Sequence, residues 1–271
     1  MFTSRIASGR VCDGHGDLLA EGVFCPNDGH RILDCIEFDD WLRYGDVVSD
    51  VSFLMTDLER LGRVDVAAEL VESYQELAGD RFPASLVDHH GALHAYVRAK
   101  VACLRHAQGE GRALQEARAL HDLASDHLEH GRVRLVLVGG LPGTGKSTLA
   151  ARLAENRGWV VLRSDEIRKE LAGATTSTSI ASSYRGDIYD TAATGATYRT
   201  MLDRAREALG LGESVVLDAS WSDGSWRREA LEVAAQMARE FDPWPSATAV
   251  DTSGPPEAVA PQAIAVVDRR P

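Results

Sequence analysis

The chain has no apolar run long enough to cross a membrane. Nowhere in its 271 residues do about 18 apolar side chains follow one another without interruption. Its first stretch, MFTSRIASGRVCDGHGD, lacks the apolar h-region of a secretory leader, so no export or anchoring signal is expected. Cysteine is scarce. The 4 cysteines, Cys12, Cys25, Cys35 and Cys103, have neither CxxC spacing nor the density of a disulfide scaffold, which predicts free thiols in a reducing, cytoplasmic compartment. The chain also lacks an excess of positive charge. A formal net charge of −12 argues against general nucleic-acid binding, because phosphate backbones are held by clustered Lys and Arg, though a local basic pocket remains open. Internal repeats are absent.

What is present is the composition of a folded protein, 44% hydrophobic and 26% charged, at a length suited to one large domain or two ordinary ones. Two grammars follow one another. Asp13-Gly14-His15-Gly16-Asp17 reads as a loop, and the apolar run Ile32-Leu33-Asp34-Cys35-Ile36-Glu37-Phe38 has strand length. From Asp46 to about Gly131, apolar residues recur three and four apart, as in Val51, Leu54, Met55, Leu58 and Leu61. Helices are expected over 64–77 and 83–108. Gly109 and Gly111 mark a break before a helix that carries Leu114, Ala117, Leu120, Leu123 and Leu128 and ends near Gly131. From Val133 strand and helix alternate, the signature of a parallel sheet with helices on both faces. Strands are expected over 133–138, 159–162, 214–217 and 247–250. The domains so drawn are 1–131, mainly helical, and 132–271, α/β.

The strongest local signal is Gly140-Leu141-Pro142-Gly143-Thr144-Gly145-Lys146-Ser147, which satisfies GxxxxGK[ST] directly after an apolar strand. Glycines let such a loop curl so that successive backbone N–H groups point at one anion, and the helix that starts near Lys146 adds its positive dipole end. Lys146 is expected to reach the β- and γ-phosphates of ATP. The Ser147 hydroxyl is expected to hold Mg²⁺, a hard cation that prefers oxygen, and Thr148 to face the α-phosphate.

After the second strand, Arg163-Ser164-Asp165-Glu166-Ile167-Arg168 lies at a carboxyl end of the sheet, where open α/β folds collect ligands. Asp165 is the candidate general base for a substrate hydroxyl. Arg168, one helical turn on, is the candidate for an anionic substrate or for transferring charge. The competing reading is that Ser164 or Asp165 caps the next helix. The third strand closes on Asp218, which either holds Mg²⁺ through water, as a Walker B carboxylate does, or caps the next turn. Arg227 and Arg228 face the nucleotide or solvent.

The runs VLVGGLPGTGKSTLAARLA, LRSDEIRKEL, SVVLDASWSD and RREA resemble the P-loop kinase-like ATPases grouped near gluconate kinases, zeta toxins and chloramphenicol phosphotransferases. The resemblance implies transfer of the γ-phosphoryl of ATP to a hydroxyl of a small molecule, with Lys146 and Ser147 facing the nucleotide and Asp165 the substrate. Such a domain usually carries a further strand and an arginine-bearing lid after the helix that follows Asp218. Here that helical stretch, 227–241, runs almost straight into Asp242-Pro243-Trp244-Pro245, so the strand and lid are expected to be missing near Gln236-Met237. Segment 247–250 is then expected to pair beside 133–138, giving four strands.

The segments DGHGDLLAEGVF, RILDCIEFDD and YGDVVSDVSFLMTDLE resemble the C-terminal lobe of the aminoglycoside phosphotransferase and choline kinase-like family. By that resemblance Asp17 matches the catalytic Asp of HGD, with His15 beside it, Asp34 a metal-binding Asp, and Asp50 the Asp that braces the catalytic loop. Where the family has a metal-binding Asn five residues after the catalytic Asp, this chain has Gly22. The family's N-terminal lobe has no counterpart in the twelve residues before Asp13, so this second site is expected to be vestigial. The leading expectation is phosphoryl transfer through Lys146, Ser147 and Asp165. Its rivals are a nucleotide-binding module without turnover and a sugar or aminoglycoside kinase working through Asp17.

Overall fold

The structure, a computed structural model, describes residues 2–141, 143–173 and 191–239. Met1–Ala234 form one compact unit, and the other, Ala235–Pro271, contributes only the last turn of a helix to the described residues. The chain opens with α1 (Phe2–Ala7), β1 (Val11–Asp13), a 3₁₀ turn at Ala20–Gly22, β2 (Val23–Phe24), β3 (Arg31–Ile32), α2 (Asp40–Arg43) and β4 (Tyr44–Asp46). β1 pairs antiparallel with β4, and β2 antiparallel with β3. The Arg5 guanidinium ties this part to the helices behind it. It donates to Asp46 Oδ1 at 2.8 Å and Asp80 Oδ2 at 2.9 Å while only 7% exposed, so both carboxylates neutralise a buried charge.

Four helices follow: α3 (Val47–Arg60), α4 (Val64–Ala78), α5 (Ala84–Ala107) and α6 (Ala113–His130). The spacing-based bounds for the last three agree with these to within a residue or so. Asp46 caps α3 by accepting the Val48 N–H, and α4 stops at Gly79, whose φ of 56° suits glycine. Val48, Met55, Ala67, Phe82, Leu86 and Val87 form the core of this part. α5 and α6 pack closely through small buried side chains, Ala95, Ala99 and Ala102 on one and Ala113, Ala117 and Ala124 on the other.

The second grammar gives β5 (Leu135–Val138), α7 (Lys146–Arg157), β6 (Val160–Arg163), α8 (Ser164–Leu171), α9 (Thr191–Gly210), β7 (Val215–Asp218) and α10 (Gly224–Arg239). The three strands are parallel in the order β5-β7-β6, flanked by helices, and this α/β arrangement agrees with the expected P-loop fold. Register aligns Val138 with Asp218 and Asp218 with Arg163. The face bearing Val136, Val138, Val216 and Val161 packs on Ala150 and Leu153 of α7. β7, central among the described strands, is buried at all four positions.

The strand expected over 32–38 is a correction: only Arg31–Ile32 is a strand. Asp34 adopts a left-handed φ of 70°, which breaks the extended path, and the segment is instead held by single bonds from Leu33 N–H to Gly22 O and Ile36 N–H to His15 O. The sheet strands each begin one or two residues later than expected. α10 runs unbroken through Gln236-Met237, while segment 247–250 and its expected pairing lie outside the described residues. The four cysteines are free thiols, and no helix among the described residues is long and apolar enough to cross a membrane.

Candidate functional site

The phosphate loop joins β5 to α7, and its glycines adopt the backbone the motif requires. Gly140, Gly143 and Gly145 have φ of 152°, 80° and 83°, values that L side chains rarely take. A Cβ placed on Gly143 or Gly145 meets no described atom within 4 Å, so backbone conformation, not crowding, fixes these glycines. Thr144 folds back, its hydroxyl donating to Leu141 O at 2.8 Å. Leu149 N–H makes the first bond of α7, to Gly145 O. The N–H groups of Lys146, Ser147 and Thr148 therefore have no acceptor within their own helix, which is the arrangement that receives an anion. Pro142 lies outside the described residues.

Asp218 ends β7 directly beside Val138, the last residue of β5. It is 4% exposed, and its Oδ1 has no hydrogen-bond partner among the described residues. A buried carboxylate oxygen left unpartnered is costly unless something occupies it. The alternative, that Asp218 caps the turn after β7, leaves that oxygen unexplained. A carboxylate and the Ser147 hydroxyl are hard oxygen donors that fit Mg²⁺ sharing its shell with phosphates and water. Among the described residues no group of three or more His, Cys, Asp or Glu could hold a metal by itself.

Asp165 and Arg168 stand on α8, one strand over. Asp165 is exposed and Arg168 mostly covered, and they pair at 3.6 Å, three residues apart. Neither Ser164 nor Asp165 caps α8: its N-cap is Arg163, with no side-chain cap bond. The Arg163 guanidinium donates to Glu166 Oε1 at 2.9 Å, while its buried Nε has no partner among the described residues. Of the pair after β7, Arg227 turns inward and donates from Nη1 to Trp221 O. Trp221 and Tyr198 meet at the end of β7; Trp221 falls within the run SVVLDASWSD, but no motif assigns either residue a role.

In the amino-terminal part, Asp50 Oδ2 accepts the His15 N–H at 2.6 Å and Oδ1 accepts the Gly16 N–H at 2.8 Å. A Cβ on Gly14 would lie 2.3 Å from Asp50 Oδ2, so this close approach requires glycine. His15 Nε2–H donates to Leu33 O at 3.0 Å. Asp17 is exposed at the loop tip, yet partial burial pushes its carboxyl above the usual range; Arg98 and His15 oppose that rise, and Asp34 and Asp57 add to it. A side chain at Gly22 would begin 3.0 Å from Leu33 O, so it would press on that carbonyl, and glycine itself offers no donor to a metal.

Residues 135–253 match a family model described as an AAA domain. Over 235 residues the chain is 43% identical to "Uncharacterized protein Rv2004c" and "Uncharacterized protein MT2060" of Mycobacterium tuberculosis and to "Uncharacterized protein Mb2027c" of Mycobacterium bovis. The match covers 87% of this chain and 47% of each relative, so the chain spans about half the length of the curated relatives it matches. No solved structure matches it at a significant level. The family match, on the segment that carries the glycine loop and the parallel strands, supports a P-loop kinase-like, nucleotide-binding domain in this part of the chain.

Proposed function

We propose that residues 132–271 bind Mg·ATP and transfer its γ-phosphoryl group to a hydroxyl of a small molecule. The observation that carries the reading is the buried, unpartnered Asp218 oxygen beside the strand that enters a glycine loop of P-loop form. Lys146 and the first N–H groups of α7 bind the phosphates, and Ser147 and Asp218 hold Mg²⁺. The metal, when bound, neutralises charge on the β- and γ-phosphates. Asp165 accepts the proton of the acceptor hydroxyl as its oxygen bonds to the γ-phosphorus and the bond to the β–γ bridging oxygen breaks. Arg168, paired with Asp165, orients that carboxylate and favours an acceptor carrying negative charge. The loop around Asp17 is a vestigial second site, since Gly22 stands where the second metal ligand belongs. The reading places the protein in the cytoplasm.

The test is a screen of γ-labelled ATP against pools of sugars, antibiotics and nucleosides. Label recovered in a small-molecule product is expected. Tight ATP binding with no labelled product from any pool would sink the transfer step and leave a nucleotide-binding module. Product formation that required Asp17 and not Lys146 would move the reaction to the other site.

A further inference from the structure

The turn that follows Asp218 is held in a conformation its sequence does not favour. Trp221 is 4% exposed and has φ of 52°, in the left-handed region where a bulky aromatic side chain is rare. Such a backbone persists only where its surroundings over-determine it, and such outliers concentrate at functional sites. Four ties do so here. The Trp221 N–H donates to the Tyr198 hydroxyl at 3.2 Å, its indole Nε1–H donates to Leu217 O at 3.3 Å, and its own carbonyl accepts from Arg227. Its ring lies against Gly139, where a built Cβ would come 3.2 Å from Trp221 Cδ1 and 3.5 Å from its Cβ.

These contacts join the two halves of the nucleotide site. Gly139 is the residue between β5 and the glycine loop, and Leu217 is the neighbour of Asp218, so one tryptophan lies against the entry to the phosphate loop and bonds to β7 beside the candidate metal-holding carboxylate. A backbone bond from Ala219 N–H to Val138 O at 3.2 Å runs beside it. Tyr198 secures the indole from α9. Its hydroxyl also meets Ser220 Oγ at 3.2 Å, and its ring stacks on Trp226 at 5.1 Å and meets Trp221 edge-on at 5.3 Å. We propose that Trp221 is a positioning residue, a wedge that sets the Asp218 carboxylate against the phosphate loop, and that Tyr198 is its latch. The inference rests on the Mg·ATP reading above and adds residues that touch neither nucleotide nor metal.

A wedge of this kind acts on the metal-dependent part of ATP binding. The glycine loop alone still meets the phosphates when Asp218 shifts, but the cation loses its protein carboxylate. Calorimetric titration of ATP, with Mg²⁺ and with EDTA, into wild type, Tyr198→Phe and Trp221→Gly is the test. Phenylalanine keeps the ring stack and removes the hydroxyl, while glycine accepts the positive φ and removes the wedge. In both variants the factor by which Mg²⁺ tightens ATP binding is expected to fall about tenfold, with affinity in EDTA unchanged. A role confined to packing would instead weaken binding equally in both media or lower only the melting temperature, and either result overturns the proposal. An undiminished Mg²⁺ factor in both variants overturns it alone. Absence of ATP binding by wild type overturns the nucleotide reading and this inference with it.

Discussion

At the scale of single residues, the site divides between groups that sequence reveals and groups that only folding brings together. Asp165 and Asp17 are two carboxylates that sequence motifs nominate as a base. Asp165 pairs with Arg168 at the end of a sheet strand, while Asp17 sits in a loop whose neighbouring Gly22 has no side chain to donate to a metal. Asp165→Asn is therefore expected to lower γ-phosphoryl transfer by ~10²-fold, the usual scale of general-base assistance, and Asp17→Asn to leave it nearly intact. Steady-state rates of the two variants decide the matter, and the reverse pattern would invert the assignment of the working site. The glycine loop, Lys146 and Asp218 were legible because their chemistry is local: a fixed spacing after an apolar strand, and an acid at a strand's end. Trp221 and Tyr198 were not, because 22 residues and a helix separate Tyr198 from its Ser220 partner, and no pattern in one dimension encodes that contact. The partnerless Asp218 oxygen likewise depends on β7 lying between β5 and β6.

At the scale of elements, the helices were the more legible part. Three- and four-residue periodicity, with the break at Gly109 and Gly111 and the stop near Gly131, gave α4, α5 and α6 almost to the residue, since each signal reports a local backbone preference. What joins the helices was hidden. His127 of α6 is 6% exposed, its Nδ1–H donating to Asp88 of α5 and its Nε2–H to Glu59 of α3, both at 2.8 Å. Burial alone would push this imidazole down, but the two carboxylates outweigh it and raise it to about 9. Conversely, burial, with His89 beside it, pushes His90 down to about 4, and burial pushes His94 down to about 4.

The consequence for stability has two limbs. A raised His127 contributes stability that is full below the unfolded value of about 6.5 and is lost as pH rises through about 9. His90 and His94, held neutral in the fold, contribute stability present above about 6.5 and lost as pH falls toward 4. Denaturant midpoints are expected to peak between those limbs. His127→Gln should flatten the alkaline one, at a cost of about 1–3 kcal/mol near pH 7; an alkaline limb unchanged in that variant would show that His127 is not its source. Gly91→Ala is a second probe. Alanine favours a helix interior by up to about 1 kcal/mol over glycine, but a Cβ at Gly91 would stand 3.0 Å from His127 Nε2. Net destabilisation together with a flattened alkaline limb is expected.

At the scale of the whole molecule, the chain holds a glycine loop of P-loop form and the His15–Asp17 loop braced by Asp50 within the same compact unit, 1–234. Ser85 at the start of α5 donates to Gly212 O, just before β7, at 2.7 Å, so the helical part and the sheet are in direct contact. The change of grammar at about residue 131 follows the hydrophobic periodicity of the sequence; this contact was not legible, since it depends on a loop carbonyl and one hydroxyl. The relatives the chain matches extend over about twice its length.

If the glycine loop of the native fold holds the phosphates of ATP, binding to the native state must raise the unfolding midpoint by mass action. At a ligand concentration of about 100 Kd the stabilisation is about 2.7 kcal/mol, which for a chain of this size corresponds to a shift of roughly 5–10 °C. Lys146→Ala removes a charge-assisted phosphate contact of about 1.5–3 kcal/mol, or roughly ten- to hundredfold in affinity. The thermal midpoint with and without Mg·ATP, in wild type and in Lys146→Ala, is the direct measurement. Wild type is expected to show a clear upward shift, and the variant about half of it or less. An equal shift in both, or none in wild type at saturating Mg·ATP, would contradict phosphate binding through the loop.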